Sequence, residues 1–132
     1  MYIVQTVDNV MERTASPKPL KGTMKRLKAA GKRQQAKLDK LVYAAVDARD
    51  GHRCRICGEY AGLDIHRHHL VYRSAGGRTA TENVLSLCAN CHLVGIHGGR
   101  LKASGDADER ATDGRLCGVR VEQLNTGDVW QA

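Results

Sequence analysis

Residues 54–99 read CRICGEYAGLDIHRHHLVYRSAGGRTATENVLSLCANCHLVGIHGG. Two Cys-x-x-Cys pairs, Cys54/Cys57 and Cys88/Cys91, enclose a hairpin-like segment carrying His68, His69 and Asn83, and His92 follows the last cysteine directly. Each Cys-x-x-Cys forms a tight turn presenting two thiolates, and two such turns complete a tetrahedral sulfur shell for a structural Zn²⁺. Disulfides or buried free thiols are the competing readings. Disulfides need an oxidising compartment, and the N-terminus (MYIVQTVDNVMERT) has no apolar core of signal-peptide length. Cys117, in the apolar stretch LCGV, reads as a small buried hydrophobe.

Around this stretch the spacing predicts a simple order of elements. Leu38, Leu41, Val42, Ala45 and Val46 recur with helical periodicity, and Asp50-Gly51 ends the helix directly before the first cysteine pair. Residues 63–72 have strand character, residues 74–77 (SAGG) form the turn, and residues 84–87 return. Residues 89–96 read as a helix stopped by Gly98-Gly99, and residues 115–123 as a further strand. Pro17 and Pro19 break the chain near its start. The expected class is α+β: a small zinc-stapled unit at 38–103, a basic and partly flexible helical arm at 1–37, and a short β extension at 104–132.

The chain has 132 residues, no Phe and one Trp. So small a core needs a staple, and metal binding then supplies folding free energy. The net charge is +7. It is uneven: residues 18–37 carry eight basic side chains and no acid, whereas the segment after residue 100 is acidic. A basic arm beside a basic centre is the footprint of a polyanion partner. With no apolar run of spanning length and no leader, a cytoplasmic protein without membrane contact is expected.

The string CRICG…HRHHLVYRSAGG…ENVLSLCANCHLVGIHGG resembles the HNH endonucleases of the ββα-metal fold, in the subset with a four-cysteine zinc. The resemblance covers roughly residues 38–103. It implies that His68 ligates a catalytic divalent ion (Mg²⁺, Mn²⁺, Ni²⁺ or Zn²⁺), that His69 is the general base, that Asn83 orients the base and its loop, and that His92 is the helix ligand. It also implies DNA as substrate, with 3′-hydroxyl and 5′-phosphate ends. Stand-alone relatives of this size are frequent in bacteriophage and mobile-element genomes, where some act with the packaging terminase. A monomer or weak dimer is expected, in the bacterial host cytoplasm if phage-encoded. The alternatives are a zinc-stabilised DNA-binding module without catalysis, and a redox protein using the cysteine pairs.

Two features sit awkwardly with that pattern. On a regular strand His68 and His69 face opposite sides, so both serve one phosphate only if the strand ends or twists there. Many family members place a further histidine four residues after the helix ligand, but His97 follows His92 by five. On an ideal α-helix that offset is a rotation of about 140°. A break or bulge at Gly95 would restore His97 as a ligand; phosphate contact or exposure are the other readings. His66 reads as exposed or outer-shell, and His52 as structural. Arg67, Arg73, Arg78 and Arg100 flank the site, and Lys25, Arg26, Lys32 and Arg33 lie on the arm, all candidates for phosphate contacts. No segment resembles a base-reading helix, so little sequence specificity is expected.

Overall fold

A computed structural model describes residues 21–132. The proline pair at 17 and 19 and the first part of the expected arm lie outside the described residues. The chain runs through a long helix α1 (Lys21–Asp50), a strand β1 (His66–His69), a strand β2 (Val84–Leu87), a π-helix (Asn90–Ile96), and three more strands, β3 (Leu101–Gly105), β4 (Val119–Gln123) and β5 (Val129–Gln131). This is a mixed α+β fold of one helix against two small antiparallel sheets. No helix among the described residues is long and apolar enough to cross a membrane.

The hairpin organises everything else. β1 and β2 pair antiparallel with His66 opposite Leu87, Arg67 opposite Ser86, His68 opposite Leu85 and His69 opposite Val84. Alternation then gives the hairpin two distinct faces. Leu85 and Leu87 enter one core with Cys54, Cys88, Cys91, Ile96, Ala107, Val119 and Val121, so His66 and His68 share that face. Val84 and Ser86 point to the side of α1, where Arg49 and Asp50 bond their backbone. Arg67 and His69 share this second face. All four residues of β2 are buried.

Several expectations change in detail. The strand expected at 63–72 is confined to His66–His69. The helix expected from residue 38 is already formed at Lys21, the first described residue, and runs unbroken to Asp50. The boundaries expected at 37/38 and 103/104 therefore fall inside α1 and inside β3. The C-terminal segment is a three-stranded sheet ordered β3-β4-β5, and Val119 and Val121 of β4 are fully buried in the common core. Cys117 is half-buried and not a core residue. His52 holds a left-handed conformation (φ 54°) directly after Gly51 (φ 62°) where α1 ends. After β1 the loop folds back tightly enough that a Cβ on Gly77 would lie 1.8 Å from the Val71 carbonyl oxygen.

A buried ionic cluster joins these parts. The Asp50 carboxylate has no exposed side-chain surface. It accepts from Arg49 Nε (2.7 Å) and Nη2 (2.9 Å), from Arg55 Nη1 (3.2 Å) and from the Ser86 backbone N–H (3.0 Å). Arg49 also donates to the Thr81 and Val84 carbonyls and to Asp108, and Arg55 to the carbonyls of Ala107 and Ala132. Removing one member of such a cluster leaves the others charged, buried and unpaired. Asp50→Ala is expected to lower stability by about 3–5 kcal/mol, read as the urea midpoint with the metal held constant. A shift equivalent to less than about 1 kcal/mol would mean that water reaches the cluster and sustains both guanidinium groups.

Candidate metal centre and active site

The first cysteine turn is a narrow ribbon: Arg53 bridges Tyr60, Cys54 N–H donates to the Glu59 carbonyl (2.8 Å), and Gly58 N–H to the Cys54 carbonyl (2.8 Å). Arg55 N–H donates to the Ser86 carbonyl (2.9 Å) and fastens the turn to β2. The second turn leads into the π-helix, with His92 N–H on the Cys88 carbonyl (3.0 Å) and Cys91 N–H aimed at Cys88 Sγ (3.4 Å). The four sulfur atoms lie within 4.8 Å of one another. Cys57 Sγ and Cys88 Sγ are 3.8 Å apart. A tetrahedron with Zn–S bonds of about 2.3 Å requires sulfurs about 3.8 Å apart, so the cage fits a zinc-sized ion. Without a metal, burial and the neighbouring sulfurs raise the Cys91 and Cys57 thiols above the usual range. At Cys54 burial acts the same way, but backbone N–H groups of Cys57, Cys88 and Ile56 outweigh it and lower the thiol.

The second cluster joins His68 from β1 to His92 and His97 from the π-helix, and their ligand atoms also lie within 4.8 Å of one another. The five-residue offset is resolved by the helix itself. A π-helix closes i→i+5 hydrogen bonds, and His97 N–H donates to the His92 carbonyl (3.0 Å), so the two side chains share a face. Their Nε2 atoms are 3.1 Å apart, near the separation of about 3.0–3.4 Å for two nitrogens on one ion at about 2.1 Å. Tyr72 stacks on His97 with ring centroids at 6.2 Å. Burial, reinforced by His92, His97 and His69, brings His68 down to about 4. Burial, then His97 and His66, also lowers His92. Both rings are therefore neutral at pH 7, as metal ligation requires.

His69 is the last residue of β1 and faces α1, away from this trio. Its Nε2 meets Thr79 Oγ1 at 3.1 Å and accepts from Arg73 Nε at 3.3 Å, and its ring stands edge-on to Tyr43. Burial lowers its pKa, Arg73 lowers it further, and Asp39 pulls the other way. Asn83 does not reach the imidazole. It holds the backbone just beyond it: Oδ1 accepts from Val71 N–H (2.8 Å), and Nδ2 donates to the carbonyls of Val71 (3.1 Å) and Arg78 (2.9 Å).

The expected phosphate-binding arginines differ in their freedom. Arg67 pairs with Asp47 and lies over the Tyr43 ring. Arg73 is bound to Asp39 (2.7 Å), Tyr43 Oη (3.0 Å) and Thr79 Oγ1 (2.8 Å). Arg78 lines a cleft of about 440 Å³ with Gln35, Leu38, Val42, Arg73, Gly77 and Thr79, between α1 and the loop beside His69. Arg100 lies behind the π-helix, on a hollow shared with Asn90, Val94 and Gln123. Lys25, Arg26, Lys32 and Arg33 are exposed on α1. Sequence reasoning missed Asp39, Tyr43 and Thr79. They are ordinary polar residues outside the motif, and only the packing of α1 on the hairpin brings them to His69.

Residues 54–94 match the family model of the HNH endonucleases. The chain belongs to the HNH endonuclease family. It is also 34% identical over 53 residues to anaredoxin of Nostoc sp. (strain PCC 7120 / SAG 25.82 / UTEX 2576), a match covering 40% of this chain and 67% of that protein. Within this HNH domain the cysteine cage is compatible with a structural zinc. Cys54→Ser or Cys88→Ser is expected to lower both bound zinc and melting temperature, measured by elemental analysis and thermal denaturation. A zinc-free Cys54→Ser protein with unchanged melting would remove the staple from the folding argument.

Proposed function

We propose that this HNH protein is a metal-dependent endonuclease that hydrolyses DNA phosphodiester bonds. The carrying observation is the pairing of a three-nitrogen cluster, His68, His92 and His97, with a separately held neutral histidine, His69, at the end of the same short strand. A module that only binds DNA needs neither.

His68, His92 and His97 would hold the catalytic divalent ion. When bound, that ion supplies Lewis-acid stabilisation to the phosphate and the departing 3′ oxygen. His69, kept neutral, takes the proton of the attacking water. The Arg73 guanidinium, half exposed, can leave Nε2 for a substrate phosphate and so free that lone pair for the water. Asn83 fixes the backbone that carries His69 into the loop, which keeps the ring aimed without touching it. The cysteine cage sets where the π-helix begins and thereby where His92 stands.

The arm extends the same reading to DNA binding. Residues 21–37 are all exposed and carry seven basic side chains with no acid. Asp39 touches Arg73 beside His69, so the helix reaches about 27 Å beyond the site. That length parallels about eight base pairs of duplex at about 3.4 Å each. Double-strand cutting from one such site takes two successive nicks or two copies of the chain.

One competitor concerns the cage. An S₄ donor set accepts iron as well as zinc. Metal content and the visible absorption of the purified protein separate the two, since zinc is colourless.

Supercoiled-plasmid nicking with Mg²⁺, Mn²⁺ or Ni²⁺, abolished by EDTA, tests the activity. His69→Ala is expected to nick at least about 100-fold more slowly while retaining metal and DNA binding. Wild-type protein that binds both but never nicks would favour the non-catalytic module. Changing Lys25, Arg26, Lys32 and Arg33 to Gln is expected to reduce the salt slope of DNA affinity by about 0.9 for each phosphate that the arm no longer neutralises. An unaltered slope would place the arm off the DNA.

A further inference from the structure

The His92 ring has two nitrogens, and both are engaged. Nε2 faces His97 Nε2 at 3.1 Å, inside the three-histidine cluster. Nδ1 faces His66 Nδ1 at 2.9 Å, with the two rings nearly perpendicular (87°) and their centroids 5.1 Å apart. His66 lies on β1 two residues before His68 and on the same face, so one strand contributes a side chain to each flank of His92.

The chemistry of imidazole constrains what this pair does. An ion held at Nε2 needs the lone pair there, which places the proton of neutral His92 on Nδ1. That N–H then needs an acceptor. A metal-bound histidine ordinarily donates it to a carboxylate, a carbonyl or water. Here the atom at hydrogen-bond distance is His66 Nδ1, which accepts only if His66 carries its own proton on Nε2. His66 is only half-buried, but its position is set by the His66–Leu87 pairing of the hairpin.

We propose that His66 is a positioning residue for the catalytic ion: by accepting the His92 Nδ1 proton it fixes the His92 tautomer and the ring's rotation, and so presents Nε2 to the metal. This rests on the reading of His68, His92 and His97 as the ion's ligands. It assigns His66 a role in metal affinity and leaves base chemistry to His69 on the opposite face. Outer partners of this kind are worth about 10–100-fold in metal affinity.

The test uses the full chain saturated with zinc and freed of excess, then titrated with Ni²⁺ by calorimetry. His66→Ala is expected to bind Ni²⁺ about 10–100-fold more weakly with zinc content unchanged. His66→Gln, whose side-chain oxygen can accept the same proton, is expected to recover most of the affinity. Long-range ¹H–¹⁵N correlation of the histidine rings supplies an independent readout before Ni²⁺ is added. His92 should carry its proton on Nδ1 in wild type and His66→Gln, and show a mixture in His66→Ala. Wild-type affinity and an unchanged His92 tautomer in a folded His66→Ala protein would overturn the role of His66 alone. Wild-type protein that takes up no Ni²⁺ would overturn the ligand reading and this proposal with it.

Discussion

The buried carboxylate of Asp50 is the contact on which the arrangement of the other parts depends. A chain with no Phe and one Trp cannot fix its elements by aromatic packing alone. Asp50 and its two arginines substitute direction for volume. Through them the end of α1, the first cysteine turn, β2, and the carbonyls of Ala107 and Ala132 are tied to one centre. Burying such a cluster is no net gain over a well-packed apolar one. Its geometric specificity is the benefit: the guanidinium groups bond named carbonyls, and one of these, Val84, lies on β2 directly opposite His69.

The thiolate cage and the ionic cluster meet across β2. Arg55 lies within the first Cys-x-x-Cys, its N–H on Ser86 and its guanidinium on Asp50. Disrupting the cysteine cage or removing the Asp50 carboxylate would therefore loosen the same strand. Four residues of β1 thereby send His68 and His69 into different surroundings. The alternation that separates their faces is an obstacle on an isolated strand. It becomes an advantage once each face has its own support, the π-helix on one side and α1 on the other.

The sequence carried the site better than the scaffold. The two Cys-x-x-Cys turns, the strand at Val84–Leu87 and the approach of His68 to His92 were legible, because turn geometry and short-range alternation are local. Other features were not. Arg49 and Asp50, charged residues at the end of a helix, look like solvent-facing groups until their partners from 59 and 36 residues away arrive. α1 runs through Gly31 and a segment without an apolar stripe, so periodicity alone starts the helix too late in the sequence. β3 and β5 are short, five and three residues, and exist through pairing with β4. The three contacts of Arg73 with α1 and the loop were invisible for the same reason.

His97 shows how a sequence irregularity and a structural one cancel. A five-residue offset would throw its ring off the ligand face of an α-helix, and a single-residue widening of the hydrogen-bond ladder restores it. A π-helix is uncommon because its ladder is less favourable than that of an α-helix, yet this one spans only seven residues and is clamped at both ends. Cys88 and Cys91 hold its start. At its far end Arg100 N–H returns to the Gly95 carbonyl (2.9 Å), and a Cβ on Gly95 would come within 2.7 Å of Leu101 Cδ1. Glycine there lets β3 pack against the widened turn. The irregular helix is thus sustained by its neighbours on both sides, and the offset that looked like a departure from the ligand pattern is the feature that requires it.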